Sequence, residues 1–267
     1  MNKRILLSVA ALFLLLTVCM ALAARPWSSR RKLDDAQKGL FTLVEGDVKK
    51  KQVEDPDWIR AQNKTNVYTG DRVRTLLKSR AEMQLAEIDL IRLAPKTTID
   101  IVKLYEETKE KKLETKITLE QGDIWGKVKS VDANSTFEVS SDFAGAAITG
   151  TVFRLNHDST RQETQLKVYT GEVKISNAPE KMNTLTPQTI GAGQSGRRQI
   201  EGPRQVPGPS QITLDAWVYL VRNMQQITIG TDGKVKSTGS FKTSDRDEQT
   251  DWVKWNLARD RQTRTRQ

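Results

Sequence analysis

The sequence predicts an all-β domain: a many-stranded antiparallel sandwich, jelly-roll-like, or a short β-solenoid, followed by a small C-terminal helical and hairpin extension. Three observations carry this. Five glycine turns punctuate the middle of the chain: Glu45-Gly46-Asp47, Thr69-Gly70-Asp71, Gln121-Gly122-Asp123, Thr149-Gly150-Thr151 and Thr170-Gly171-Glu172. Between them lie short runs of alternating apolar and polar residues, the period of strands that bury one face. No segment of helical period interrupts this region. Ten or more short strands must hide their edges, which a sandwich, a barrel or a solenoid achieves.

The chain opens differently. Lys3 and Arg4 precede an uncharged apolar run from Ile5 to Ala24. A positive start, an apolar stretch and Ala21-Leu22-Ala23 are the parts of a secretory signal, with Ala21, Ala23 and Ala24 as cleavage candidates. The same run, residues 5–24, is long enough to span a bilayer, so a retained membrane anchor is the rival reading. Arg25, Arg30, Arg31 and Lys32 just beyond it disfavour export. Either way residues 25 onward are expected outside the cytoplasm, in the periplasm or cell envelope. Cys19 sits after Val18, a poor lipoprotein box. As the single cysteine it leaves the mature chain without disulfide, thiolate metal site or cysteine nucleophile.

Residues 25–39 read as a polar, basic linker and residues 40–178 as the β domain. Phe41-Thr42-Leu43-Val44 begins it. Ala81, Met83 and Leu85 alternate with Glu82 and Gln84, a one-face-in strand. Ile91 with Leu93, and Ile99 with Ile101, repeat the pattern. Glu106 to Lys112 is a charge run expected at a solvated hairpin end. Further strands are led by Ile117 and Leu119, Ile124 to Val128, Phe137 and Val139, Phe153 and Leu155, Leu166 and Val168, and Val173 and Ile175. Tyr68-Thr69-Gly70-Asp71 and Tyr169-Thr170-Gly171-Glu172 echo one another as a repeated turn.

After Asn177 the composition shifts, and residues 179–210 read as a Gly/Pro-rich connector. Residues 211–267 form the extension. An amphipathic helix is expected from Leu214 to about Gln226, with Thr213 as N-cap and Leu214, Trp217, Val218, Val221 and Met224 on one face. A hairpin turning at Thr231-Asp232-Gly233 follows. A short helix over Asp251 to Asp260 then places Trp252 and Trp255 on one side.

The chain of 267 residues carries a net charge of +10, with 28% charged residues. Its basic residues are interleaved with acids, as on a solvated surface, and no Lys/Arg block alternates with aromatics as a nucleic-acid groove would require. Nucleic acid is therefore not an expected partner. The lone histidine, His157, lies in the turn-like Asn156-His157-Asp158-Ser159 and reads as exposed; with no second histidine and no mature cysteine, neither a zinc site nor any other cofactor is expected. Glu82, Glu87, Asp89 and Asp100 supply carboxylates, but their spacing gives no pair facing across a cleft, and they read as solvated. No phosphate loop or Gly-x-Ser-x-Gly elbow occurs. Trp58, Trp125 and Trp217 read as core. Trp252 and Trp255 are core or, if exposed, platforms for sugar rings or a partner. No catalytic residue is nominated and no binding residue is fixed.

The ordered series Phe41-x-Leu-Val-x-Gly-Asp-Val48, Trp58-x-x-Ala61, Val67-x-x-Gly70-Asp-x-Val-x-Thr75, Ser79-Arg-Ala-Glu-Met83, Leu93-Ala-Pro-x-Thr-Thr-Ile99, Leu119-x-x-Gly122-x-Ile-Trp125, Phe137-x-Val139, Ala147-x-Thr-Gly150-Thr-x-Phe153 and Val168-x-x-Gly171-x-Val173 resembles the FecR domain family of bacterial envelope proteins. Trp252-x-x-Trp255-Asn256-x-x-Arg259-Asp260 looks like the ending of stand-alone members. The resemblance implies an exported, non-enzymatic β domain. The family's named member also carries a cytoplasmic sigma-binding arm. Here only Met1 to Arg4 precede the apolar run, so that anti-sigma role is not expected to transfer. The expected partner is an envelope protein, or in the alternative reading an anionic cell-wall polymer such as peptidoglycan, bound or modified.

Overall fold

The alternating segments form sixteen strands among the described residues, joined in one hydrogen-bonded sheet that folds over into two layers. The computed structural model describes residues 38–85, 89–107, 112–129, 135–191 and 215–265. Several sequence expectations lie outside them: the apolar run with Ala21, Ala23, Ala24 and Cys19, most of the linker with Trp27, Glu87, the middle of the charge run, and residues 192–214 of the connector and predicted helix.

The first layer holds β2 (Val48–Gln52), β5 (Asp71–Thr75), β8 (Thr98–Glu107), the first part of β9 (Lys112–Lys127), β10 (Thr136–Ser140), the start of β11 (Gly145–Asp158), the end of β12 (Glu163–Ser176) and β14 (Val218–Arg222). The two-residue strands β3 (Ile59–Arg60) and β13 (Gln188–Thr189) close its edges. The second layer holds β4 (Asn66–Tyr68), β1 (Lys38–Glu45), β6 (Arg80–Leu85), β7 (Asp89–Leu93), the remaining parts of β9, β11 and β12, then β15 (Gln225–Gly230) and β16 (Val235–Ser240). The pairings are antiparallel except β9–β10 and β13–β14, which are parallel.

The five predicted glycine turns are among the places where the chain passes between layers. Gly46 and Gly70 join separate strands; Gly122, Gly150 and Gly171 lie inside β9, β11 and β12, each of which bends there and continues in the other layer. All five have positive φ. At Gly122 (φ +101°) a Cβ would meet Thr97 Oγ1 at 2.4 Å and Thr97 Cα at 2.6 Å, so both backbone sign and space demand glycine. The sequence therefore reads as many short strands where the fold has three long, bent ones.

Hydroxyls brace the corners. Thr97 Oγ1 accepts from Asp123 N (3.1 Å) and donates to Asp123 O (3.2 Å). Thr75 Oγ1 accepts from Thr97 N (3.0 Å), and Ser79 Oγ accepts from Asp47 N (2.8 Å). Backbone groups that leave the ladder at a bend are thus still paired. Between the layers, Phe41, Met83, Ile91, Ile99, Ile117, Phe153, Leu166, Val173 and Ile227 meet in one core. Phe153 lies over Gly126, where a Cβ would come within 2.1 Å of its ring.

The extension differs from expectation in one element. Val218–Arg222 is strand β14, paired with the end of β12, and not part of a helix. Its Val-Tyr-Leu-Val sequence suits a pleated surface as well as a helix face, and the open edge of β12 decides the matter. The hairpin β15–β16 forms as predicted, with Gly233 at φ +64°. The tail helix α1 runs Asp251–Thr265. No helix among the described residues is long and apolar enough to cross a membrane.

Candidate functional site on the outer sheet faces

The outer face of the second layer carries one row of side chains from five strands in register. Glu82 on β6 pairs with Arg92 on β7, Arg92 with Trp125 on β9, Trp125 with Arg154 on β11, and Arg154 with Lys167 on β12. By strand parity this row should be solvated. It is buried instead, because Phe241 to Thr265 folds across it. Glu82 is 6% exposed, Arg92 1% and Lys167 1%.

This C-terminal segment matches the row in charge. Arg259 makes two hydrogen bonds to Glu82, each 2.9 Å. Arg92 pairs with Glu82 (2.7 Å) and Asp260 (2.8 Å) and donates to Asn256. Trp125 Nε1 donates to Asp260 (3.0 Å), and Trp252 Nε1 to Asp123 (3.1 Å), whose carboxylate also holds Arg154. Lys167 meets Asp247 and Glu248, and Tyr169 donates to Glu248 (2.7 Å). Trp252 and Trp255 stack at 5.5 Å, and Trp255 lies under the guanidiniums of Arg80, Arg92 and Arg259. Burial acts to raise the Glu82 carboxyl, but hydrogen bonds from Arg259 and Arg92 bring it below the usual range. Burial acts to lower the Arg154 guanidinium, and Asp123 more than reverses that. The two tail tryptophans are thus internal to this contact and are not free platforms.

The family model described as FecR protein matches residues 71–174. Those residues are a FecR domain. It runs from β5 to β12 and contains the bends at Gly122, Gly150 and Gly171 with the braces Thr75 and Thr97. Among solved structures, two crystal structures of a candidate anti-sigma factor from Parabacteroides distasonis are similar to the chain. They have 13% and 12% identity and TM-scores of 0.40, each covering 63% of this chain and 59% of theirs. A likeness this distant says nothing about activity. Comparison with curated proteins finds no match.

Outside the covered row, the FecR domain's remaining polar residues are accounted for differently from their sequence reading. His157 continues the inward parity of Phe153 and Leu155 and is 2% exposed. Its Nδ1 lies 3.0 Å from Thr164 Oγ1, which meets Ser141 Oγ at 2.8 Å, and Phe143 packs on the ring. Burial lowers its pKa, against the pull of Asp142 and Asp158. The inward alternation of Phe153, Leu155 and His157 is the signal that locates it; the turn-like composition around it points the other way. Asp89, read as solvated, is 4% exposed, and burial pushes its carboxyl up to about 7. Asp100 sits on the outer face of the first layer, bidentate with Arg72. No two of Glu82, Asp89 and Asp100 share a cleft. Among the described residues no three His, Cys, Asp or Glu side chains gather as metal ligands.

Among the described residues no segment folds across the outer face of the first layer. Much of its charge is paired across strands: Arg72 with Asp100 and Glu120, Lys103 with Glu114, Lys116 with Glu138. At the β2–β3–β5 edge, Trp58 is half-buried, with Lys51 Nζ 5.5 Å and Arg74 4.6 Å from its ring centre. Val102 is exposed on this side at 45%, while Ile59, opposite Lys50 in the ladder, has the inward parity of Lys50 and Val73. The adjoining loop adds Glu54, Asp55 and Asp57, so the edge is mixed in charge.

Proposed function

We propose that the chain is a non-enzymatic protein of the bacterial cell envelope that works in envelope signalling by binding a macromolecule, with the outer face of the first layer as its contact surface. The observation that carries this reading is the FecR match over residues 71–174. The N-terminal apolar run supports a periplasmic location, released or anchored through residues 5–24. The choice of face follows from occupancy: the second layer's outer row is filled by the chain's own C-terminal segment, while Trp58 and Val102 remain accessible on the first. An edge with both signs of charge around an indole suits a protein partner, since aromatic and arginine side chains anchor such contacts. Crosslinking in the native envelope followed by purification tests this. One specific protein adduct is expected. No partner together with turnover of cell-wall substrates would refute it.

A second reading, binding of an anionic cell-wall polymer, rests on the indole between Lys51 and Arg74. Pull-down on purified peptidoglycan at low and high salt separates the two. Retention that falls with ionic strength supports the polymer, and no retention at low salt removes it.

A further inference from the structure

The contact between Lys167 and the start of the C-terminal segment differs in kind from the other ion pairs. The geometry points to a covalent amide between Lys167 Nζ and Asp247 Cγ, formed by the protein on itself with Glu248 as proton carrier. Lys167 Nζ lies against the Asp247 carboxylate and 2.8 Å from Glu248 Oε1. The lysine and glutamate side chains are each 1% exposed. The ring of Phe241 closes another side, 5.0 Å from the amine, and Tyr169 fixes the glutamate through its second oxygen. Arg154 Nη1, 3.9 Å from Glu248, offsets the second negative charge. A buried amine and a buried group able to carry protons are thus held against an acceptor carboxyl that is itself half exposed.

The contrast with Lys50 is instructive. It too meets a buried carboxylate, Asp71, at 2.8 Å. Asp71, however, is also bound by Gln52 Nε2 and Tyr68 N, and no second carboxylate reaches the lysine in that contact. That arrangement holds an ion pair and gives no route for the second proton.

The step balances without oxidant or cofactor. Within the ion pair the ammonium gives one proton to Asp247, leaving a neutral amine and a carboxylic acid. The neutral amine is the nucleophile and the protonated carboxyl the form whose hydroxyl can leave. The nitrogen attacks Cγ as Glu248 takes its second proton, and the C–N bond forms. Glu248 then returns that proton to the departing hydroxyl, the C–O bond breaks, and one water leaves. Asp247 is 51% exposed, so the water has a way out. Burial acts to raise the Asp247 carboxyl but the hydrogen bond from Lys167 brings it below the usual range, so the reactive tautomer is a minor one and the bond forms slowly, once per molecule. The bond would tie together residues 80 apart and fix the C-terminal segment to the sheet.

Tryptic mapping of the purified full chain decides the matter. An amidated Lys167 resists trypsin, so residues 162–174 should appear joined to residues 247–254, lighter than the two peptides by one water. Glu248→Gln should abolish the joined species and release peptides cut after Lys167; circular dichroism confirms that this variant folds. Wild-type protein that yields the separate peptides overturns the proposal, whatever the variant does. A folded Glu248→Gln protein that remains joined overturns the role given to Glu248.

Discussion

At Gly122 two constraints coincide, a left-handed φ and a neighbouring Thr97 that leaves no room for a methyl group. Gly122→Ala should therefore cost about 3 kcal/mol or more. Gly239→Ala, where a Cβ meets nothing, should change stability by no more than about 0.5 kcal/mol. Thermal melts of the two variants provide the comparison. Asp89 behaves differently. Its folded carboxyl is raised from 3.8 to about 7, so its neutral form favours the fold. That stability is complete below the unfolded value and is lost as pH rises from about 4 to about 7, amounting to at most about 4 kcal/mol. Asp89→Asn should flatten this part of a denaturation-versus-pH curve. The glycines were legible as turn signals from the sequence. The burial of Asp89 was not, because strand alternation beside Leu90 and Ile91 does not reveal what lies over the sheet's end.

Among the elements, the C-terminal helix is held chiefly by directed polar contacts, with only a small apolar patch of Ala94, Trp125, Trp252 and Val253. Buried ion pairs add little net stability but are costly to break singly. Arg92→Ala leaves Asp260 without its ion pair and takes one of the two arginines from Glu82. It should cost about 3–5 kcal/mol and raise hydrogen exchange over residues 251–265 before the sheet opens. Glu82 gives the sign of the acid response. Its folded carboxyl is lowered from 4.5, so its contribution is present above 4.5 and is lost as pH falls through the folded value. Exchange of the helix should therefore rise in acid, and Glu82→Gln should remove that component of the dependence. The helix itself was legible, as was the pairing of Trp252 and Trp255 on one side of it. The face it covers was not: Glu82, Arg92, Arg154 and Lys167 sit at outward positions, and period-two patterning cannot tell solvent from a segment that returns 80 to 177 residues later. The same limit produced the helix expected near Val218, where the partner strand β12 settled a locally ambiguous pattern.

For the molecule as a whole, the two outer faces differ in what covers them among the described residues. One is closed by the chain's own tail and serves stability. The other, among the described residues, keeps an indole, the Val102 side chain and charges of both signs accessible. The class of fold, the turn positions and the family resemblance could all be read from residues 40–178, because inward alternation and glycine chemistry are local. Which face remains open depends on where the tail docks, and only the folded chain reveals that. The central claim is that the FecR domain works by binding through this open face. Photocrosslinking in the native envelope, from reactive residues placed singly at positions 58, 102 and 254, tests it most directly. The account predicts one discrete adduct from positions 58 and 102 and none from position 254 on the outer side of the helix. An adduct confined to position 254, or none at all from a folded protein that turns over cell-wall substrates, would contradict it.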